Sequence, residues 1–212
     1  MPGALQGLKI VEMEGIGPAP FAGMMLADHG AEVVLVRRRP AGRRGAMQGK
    51  DILSRSRTVV ELDLKTPEGI ARVRQLSAAA DGLIEGFRPG VMERLGLGPE
   101  VMLTANPRLV YGRMTGYGQD GPNAQRAGHD INYIAVSGAL WPLGRKDEAP
   151  VPPLNLVGDF GGGSLFLVFG VVAAVLSART TGEGQVVDAA MVDGSASLMT
   201  LSHALMNAGF WH

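Results

Sequence analysis

The sequence predicts an α/β fold, a Rossmann-like open parallel sheet with flanking helices. Three observations carry this. From Leu8 to Met114, short apolar and β-branched runs alternate with helix-like segments. The chain opens with a strand–helix–strand pattern, which implies parallel pairing and a right-handed crossover. Hydrophobic residues make up 46% of the 212 and charged residues 19%, enough for a sizeable core and against disorder.

The elements follow in order. Leu8-Lys9-Ile10-Val11-Glu12-Met13 reads as a buried strand and Gly15-Ile16-Gly17-Pro18 as a turn. Pro20 to His29 reads as a helix stopped by Gly30, and Glu32 to Val36 as the second strand. Thr58 to Leu64 is the third strand. Thr66 then caps a helix that has Pro67 at its first position and runs to about Ala80. Gly82 to Phe87 and Leu109 to Met114 are the fourth and fifth strands. Beyond Gly116 the style changes. A glycine-rich loop, Gly116 to Gly128, precedes a helix from His129 to Trp141, and a proline-rich connection, Ala149 to Pro153, leads to Asp159. A buried apolar helix starts at Ser164 and a last helix near Asp188. One domain spans residues 1–212, without internal repeats.

Composition narrows the function. Net charge is zero and aromatics are few, with no basic patch interleaved with them, which argues against nucleic acid. Cysteine is absent, excluding disulfides, thiolate catalysis and Cys-ligated metals, and a reducing, cytoplasmic compartment is the expectation. The start of the chain lacks a basic region followed by an apolar core, so no signal peptide is expected. The longest apolar run, Leu165 to Leu176, is shorter than the ~20 residues a bilayer requires, and no membrane association is expected. Histidines and carboxylates show no metal-ligand spacing.

Gly15-x-Gly17 after the first strand is not a dinucleotide fingerprint, because Pro20 stands where the third glycine belongs. No nucleophile elbow or P-loop is present. Arg37-Arg38-Arg39 ends the second strand, and in open α/β sheets ligands bind at the strands' carboxyl ends. Arginines there suit phosphate or pyrophosphate; they read equally as a solvated basic loop with Arg43 and Arg44. The segments Ala127-Gly128-His129-Asp130-Ile131-Asn132-Tyr133 and Asn155-Leu156-Val157-Gly158-Asp159-Phe160-Gly161-Gly162-Gly163 place an imidazole and a carboxylate beside glycines. Taken singly, each reads as an ordinary helix cap or loop. As a pair they offer the two commonest proton-transfer groups near neutral pH, with room for a substrate to approach the backbone.

These residues carry a resemblance. With Glu61-Leu62-Asp63-Leu64-Lys65, Arg88-Pro89-Gly90-Val91-Met92-Glu93-Arg94, Gly116-Tyr117-Gly118-Gln119, Pro153-Leu154-Asn155-Leu156 and Gly184-Gln185-Val186-Val187-Asp188, the chain resembles the family III CoA-transferases (the CaiB/BaiF superfamily) and, within them, the α-methylacyl-CoA racemase branch. The resemblance implies the large domain of that fold and racemisation of 2-methyl-branched acyl-CoA thioesters. His129 and Asp159 would be the two bases on opposite faces of the α-carbon, and the Asp130 backbone N–H the oxyanion donor. Arg38, Leu62, Lys65, Phe87, Arg88, Arg94 and Tyr133 would bind coenzyme A, which belongs to the substrate; neither metal nor further cofactor is implied. An interlocked homodimer is implied too. The family's smaller domain and C-terminal return, which holds the acid that orients the histidine, fall outside this chain. Two alternatives stay open: CoA transfer between carboxylic acids with Asp159 as nucleophile, and CoA binding without turnover.

Overall fold

A computed structural model describes residues 2–38 and 52–211. Six parallel strands form one sheet in the order β3-β2-β1-β4-β5-β6. The strands are β1 (Lys9–Met13), β2 (Glu32–Arg37), β3 (Thr58–Glu61), β4 (Gly82–Glu85), β5 (Val110–Thr115) and β6 (Val186–Ala190). β1, β4 and β5 are almost wholly buried, as strands covered on both faces must be, whereas the edge strand β3 is mostly exposed. β1 pairs with β2 on one side and β4 on the other, in parallel. Strand order therefore reverses between β1 and β4.

Two helical layers cover the sheet. On one face Ile10, Val33, Ile84 and Val110 pack with Ala22 and Leu26 of α1 (Pro18–Asp28) and Leu167 and Val171 of α6 (Phe166–Thr181). On the other, Val11, Met13, Leu83 and Tyr111 pack with Val73 of α2 (Pro67–Ala78), Met92 of α3 (Val91–Arg94) and Met102 of α4 (Pro99–Ala105). The Thr66 hydroxyl caps α2 by accepting the Gly69 N–H at 3.1 Å, as expected.

Several sequence expectations need correction. The segment around Asp188 is not a helix start but the sixth strand; Val187 and Asp188 lie in register with Gly112 and Arg113 of β5, and the helix α7 (Met191–Leu198) begins after it. The helix expected from His129 to Trp141 ends early, as α5 (Asp130–Val136), because Gly138 turns the chain at φ 82°. The third strand stops at Glu61, before a turn in which Asp63 accepts the Lys65 N–H. The apolar helix expected at Ser164 begins earlier, as a π-helix (Leu156–Leu165) running directly into α6. That run of 26 residues is long and apolar enough to cross a membrane by length and composition. It is also not simply buried. Leu167, Val171, Ala174 and Val175 face the core, but Phe169 and Leu176 are 76% and 69% exposed. The last helix, α8 (Thr200–Asn207), buries none of its residues.

Two buried charge networks tie the layers together. Arg57, before β3, donates to both oxygens of Glu12 on β1 at 2.6 and 2.7 Å and to Pro20 O at 2.8 Å. Both side chains of the pair are almost fully buried, and Gly23 has no room for a Cβ beside the Glu12 carboxylate. Removing one partner of such a pair typically costs roughly 3–5 kcal/mol. At the end of β4, Glu85 is 1% exposed; it accepts the Phe87 N–H at 2.7 Å and Arg113 Nε at 3.2 Å, and Arg113 reaches Glu93 of α3 at 2.8 Å. Burial pushes the Glu85 carboxyl up to about 7, against the opposing pull of the Phe87 N–H and Arg113.

The sign follows from linkage. The folded chain keeps the Glu85 proton that the unfolded chain releases near 4.5, so this group destabilises the fold progressively as pH rises from about 4.5 to about 7. Glu85→Gln should flatten that part of the stability-versus-pH curve, by up to about 3 kcal/mol at neutral pH. Denaturant unfolding at pH 4.5, 6 and 7.5 checks it; an unchanged slope in the variant refutes the assignment.

Candidate active site

Strand order reverses between β1 and β4, and in open α/β sheets ligands bind outside the carboxyl ends of the strands at such a switch point. Gly17 closes the turn after β1 at φ 73°, ψ −110°, a conformation that L side chains rarely adopt, and starts α1 there. A Cβ on Gly17 would stand 3.5 Å from Asp159 Oδ2, so the Asp159 carboxyl lies at the switch point.

Asp159 sits in the first turn of the π-helix. Such helices are rare and frequently functional. Glycine packing places this one. Gly162 and Gly194 of α7 cross with no space for a Cβ on either, and a Cβ on Gly163 would stand 2.8 Å from Met191. The Ser164 hydroxyl, fully buried, bridges Pro18 O at 2.8 Å and Asp159 O at 3.1 Å, pinning the π-helix to α1. Phe160 stacks on Phe21 of α1, ring centroids 4.5 Å apart. Asn155 Nδ2 donates to Asp159 Oδ2 at 3.4 Å.

His129 is the N-cap of α5. Its backbone N–H donates to Asn132 Oδ1 at 2.9 Å, and its residue surface is exposed. Asp130 opens the helix, so its N–H precedes the intrahelical ladder. Its side chain is buried, and Oδ2 accepts the Asp159 N–H at 2.7 Å. Tyr133, one turn on, is buried with its ring edge-on to Tyr117 at 5.1 Å. Both Gly116 and Gly128 lie so close to the Tyr133 ring that neither could carry a Cβ. The glycine before the histidine thus serves ring packing.

The electrostatics bind these groups into one cluster. The Asp159 carboxyl is held above its usual range, first by burial and then by the Asp130 charge, against the Asn155 hydrogen bond and the pull of His129. The Tyr133 phenol is pushed up to about 12 by burial and the neighbouring Asp159, with Arg88 pulling the other way. His129, Asp130, Tyr133, Asp159 and Arg88 therefore share one field.

The remaining expected residues line the same carboxyl edge in strand order. Lys65 and Leu62 follow β3; Lys65 is exposed, and Leu62 is half-buried with its N–H on Arg37 O at 2.9 Å. Arg38 follows β2, exposed, with its backbone N–H on Glu14 Oε2 at 3.1 Å. Phe87 and Arg88 follow β4, Phe87 packed on the second core and Arg88 exposed; Arg94 is exposed at the end of α3. Of the arginine run, Arg37 pairs with Glu61 at 3.4 Å, and Arg39, Arg43 and Arg44 lie outside the described residues. Among the described residues no cluster of three or more His, Cys, Asp or Glu could hold a metal. Sequence reasoning missed Asn155, Asn132 and Glu85. Spacing could have found the first two: Asn132 at the third position of a helix that His129 starts, and Asn155 four residues before Asp159.

The chain has relatives among known proteins. The family described as CoA-transferase family III matches residues 5–210. Alpha-methylacyl-CoA racemase of Mus musculus is 46% identical over 207 residues, 98% of this chain and 53% of its own; the Homo sapiens protein is likewise 46% identical, over 98% and 53%. Human succinyl-CoA:glutarate CoA-transferase is 32% identical over 96% of this chain and 48% of its own. This chain thus spans about half the length of the curated relatives it matches. Among solved structures, a CAIB/BAIF family protein from Brucella suis superposes with a TM-score of 0.87 at 28% identity, covering 100% of this chain and 60% of that one. The fold and a sequence match along nearly the whole chain make it a member of CoA-transferase family III.

Proposed function

We propose that the protein racemises 2-methyl-branched acyl-CoA thioesters by two-base transfer of the α-proton through an enolate. The observation that carries this reading is the meeting of His129 and Asp159 in one cluster, with Asp159 biased toward its protonated form. Inverting a carbon by proton transfer needs a base on one face and an acid on the other. An imidazole acting as base and a carboxyl acting as acid would provide them, exchanging roles in the reverse direction. As the proton leaves, charge grows on the thioester oxygen; the Asp130 N–H at the start of α5 stabilises it there. The 46% identity to alpha-methylacyl-CoA racemases supports the reaction class.

In this reading the acyl-CoA lies along the carboxyl edge. Leu62 and Lys65 flank its adenosine end, Arg38 meets its phosphates, and Phe87, Arg88, Arg94 and Tyr133 line the groove toward Asp159. Coenzyme A arrives with the substrate, and the protein carries no cofactor of its own. We place it in the cytoplasm as a homodimer, consistent with the absence of cysteine and the exposed apolar surface of α8.

Incubating the protein with one enantiomer of a 2-methylacyl-CoA in deuterated water tests the chemistry. The expected result is deuterium at the α-carbon together with loss of enantiomeric purity. A new acyl-CoA formed from a free carboxylate, without α-deuteration, overturns it in favour of Asp159 as the nucleophile of a CoA-transferase. His129→Ala and Asp159→Ala should each lower racemisation roughly 10²–10⁴-fold. Each should also keep residual exchange on opposite enantiomers, because each leaves one face served. Residual exchange on the same enantiomer in both refutes the two-face arrangement. Arg38→Ala should raise KM roughly tenfold with kcat nearly unchanged, since a phosphate contact far from the α-carbon is made equally in ground and transition states. Steady-state kinetics decide this, and an unchanged KM removes Arg38 from the phosphate site.

A further inference from the structure

The family resemblance gives Asp130 a backbone role, but its side chain presents a separate observation. The residue is 4% exposed, and a buried carboxylate is costly unless its oxygens are satisfied. Only one is: Oδ2 accepts the Asp159 N–H at 2.7 Å, while Oδ1 is buried with no hydrogen-bond partner among the described residues. The neighbouring backbone is shaped around it, since a Cβ on Gly158 would stand 2.8 Å from Oδ2. An asparagine could accept the same N–H without the cost of a buried charge.

We propose that the Asp130 side chain is a positioning residue for Asp159, holding the first turn of the π-helix by its N–H and presenting a negative charge to the Asp159 carboxyl. This rests on the proton-transfer reading above, in which Asp159 must wait as an acid while His129 waits as a base. The hydrogen bond joins two segments 29 residues apart in sequence and sets where the Asp159 carboxyl stands relative to His129, which adjoins Asp130 in the chain. The charge acts on protonation, because a carboxylate beside a second carboxyl disfavours its ionisation. Asp130 is among the causes that hold Asp159 above its usual range, alongside burial. Also facing Asp159 are His129, which pulls the other way, and Tyr133, whose phenol responds to both carboxylates. The other elements packed on the π-helix carry Asp28 on α1, Asp193 on α7, Arg179 on α6, Arg113 on β5 and Asp188 on β6. None of these contributes to the Asp159 shift; Arg113 is taken up by Glu85 and Glu93, and Arg179 lies toward Asp81.

Asp130→Asn and Asp130→Ala separate the two functions, and both leave the backbone N–H in place. Asn keeps an acceptor for the Asp159 N–H and removes the charge. Carbon-13 NMR titration of the Asp159 carboxyl should show it ionising at lower pH in Asp130→Asn than in the parent protein. The limb of the kcat–pH profile that reports Asp159 should move to lower pH with it, with KM for acyl-CoA within about twofold of the parent. Asp130→Ala, which also frees the turn, should lose a further ~10- to 100-fold in kcat, as displacement of a catalytic group by about an ångström does. A merely structural role would lower thermal stability in Asn without moving the titration. An unmoved Asp159 titration in folded Asp130→Asn therefore overturns the proposal, as does parental kcat in Asp130→Ala. If the titration moves but no α-deuteration occurs in any variant, the racemase reading fails while the positioning role of Asp130 stands.

Discussion

The arrangement depends on β1 being paired in parallel on both sides, to β2 and to β4. Parallel strands need crossovers through helices, and right-handed crossovers running from β1 to β2 and from β4 to β5, in opposite directions along the sheet, put α1 on one face and α3 and α4 on the other. The connections after β1 and β4 then diverge, and the gap between them cannot be filled by the sheet itself. Gly17 and the Phe87–Arg88 loop border that gap. The Asp159 carboxyl reaches it only because the π-helix packs on α1, whose start is set by the same turn.

Close backbone approach is the second theme. Gly158 against Asp130, Gly162 against Gly194, and Gly116 and Gly128 against Tyr133 each mark a place where a methyl group would collide. These contacts bring α5, the π-helix and α7 into one compact block at the sheet's carboxyl edge, and the segments of His129 and Asp159, far apart in sequence, share a field. The charges buried here are few and individually answered. Glu12 is met by Arg57, and Glu85 by Arg113 and a backbone N–H. Asp130 departs from this pattern, with one oxygen bonded and the other without a hydrogen-bond partner among the described residues. An incompletely satisfied buried carboxylate is costly, and its cost falls beside the Asp159 carboxyl, which burial holds above its usual range.

Much of the sheet was legible because strands buried on both faces are nearly continuous apolar runs, as in Ile10 to Met13 and Leu83 to Ile84. β6 was not. It is an edge strand, half exposed, and Val186-Val187-Asp188-Ala189-Ala190 has no apolar periodicity that separates a short strand from a helix start. The π-helix was invisible for a different reason. Glycine in series argues for a loop by propensity, and only contacts with Gly194 and Met191 explain why Gly161 to Gly163 are helical. The overlong helix after His129 shows the converse, an apolar pattern carried past Gly138, whose left-handed backbone ends it.

While Leu62, Lys65 and Phe87 were picked out only by the family resemblance, the residues alone determined the fold class, the place of Arg38 at the carboxyl end of the second strand, and the pairing of His129 with Asp159 as candidate acid and base. These depend on local pattern and residue chemistry, which are written in linear order. Only the tertiary structure decided that the Asp130 carboxylate holds the Asp159 N–H, that Tyr133 and Arg88 share the field, and that Arg37 is turned toward Glu61. Burial, hydrogen bonding and charge proximity set a side chain's protonation and partners. All three depend on which distant segments the packed helices bring within a few ångströms, and linear order does not state that.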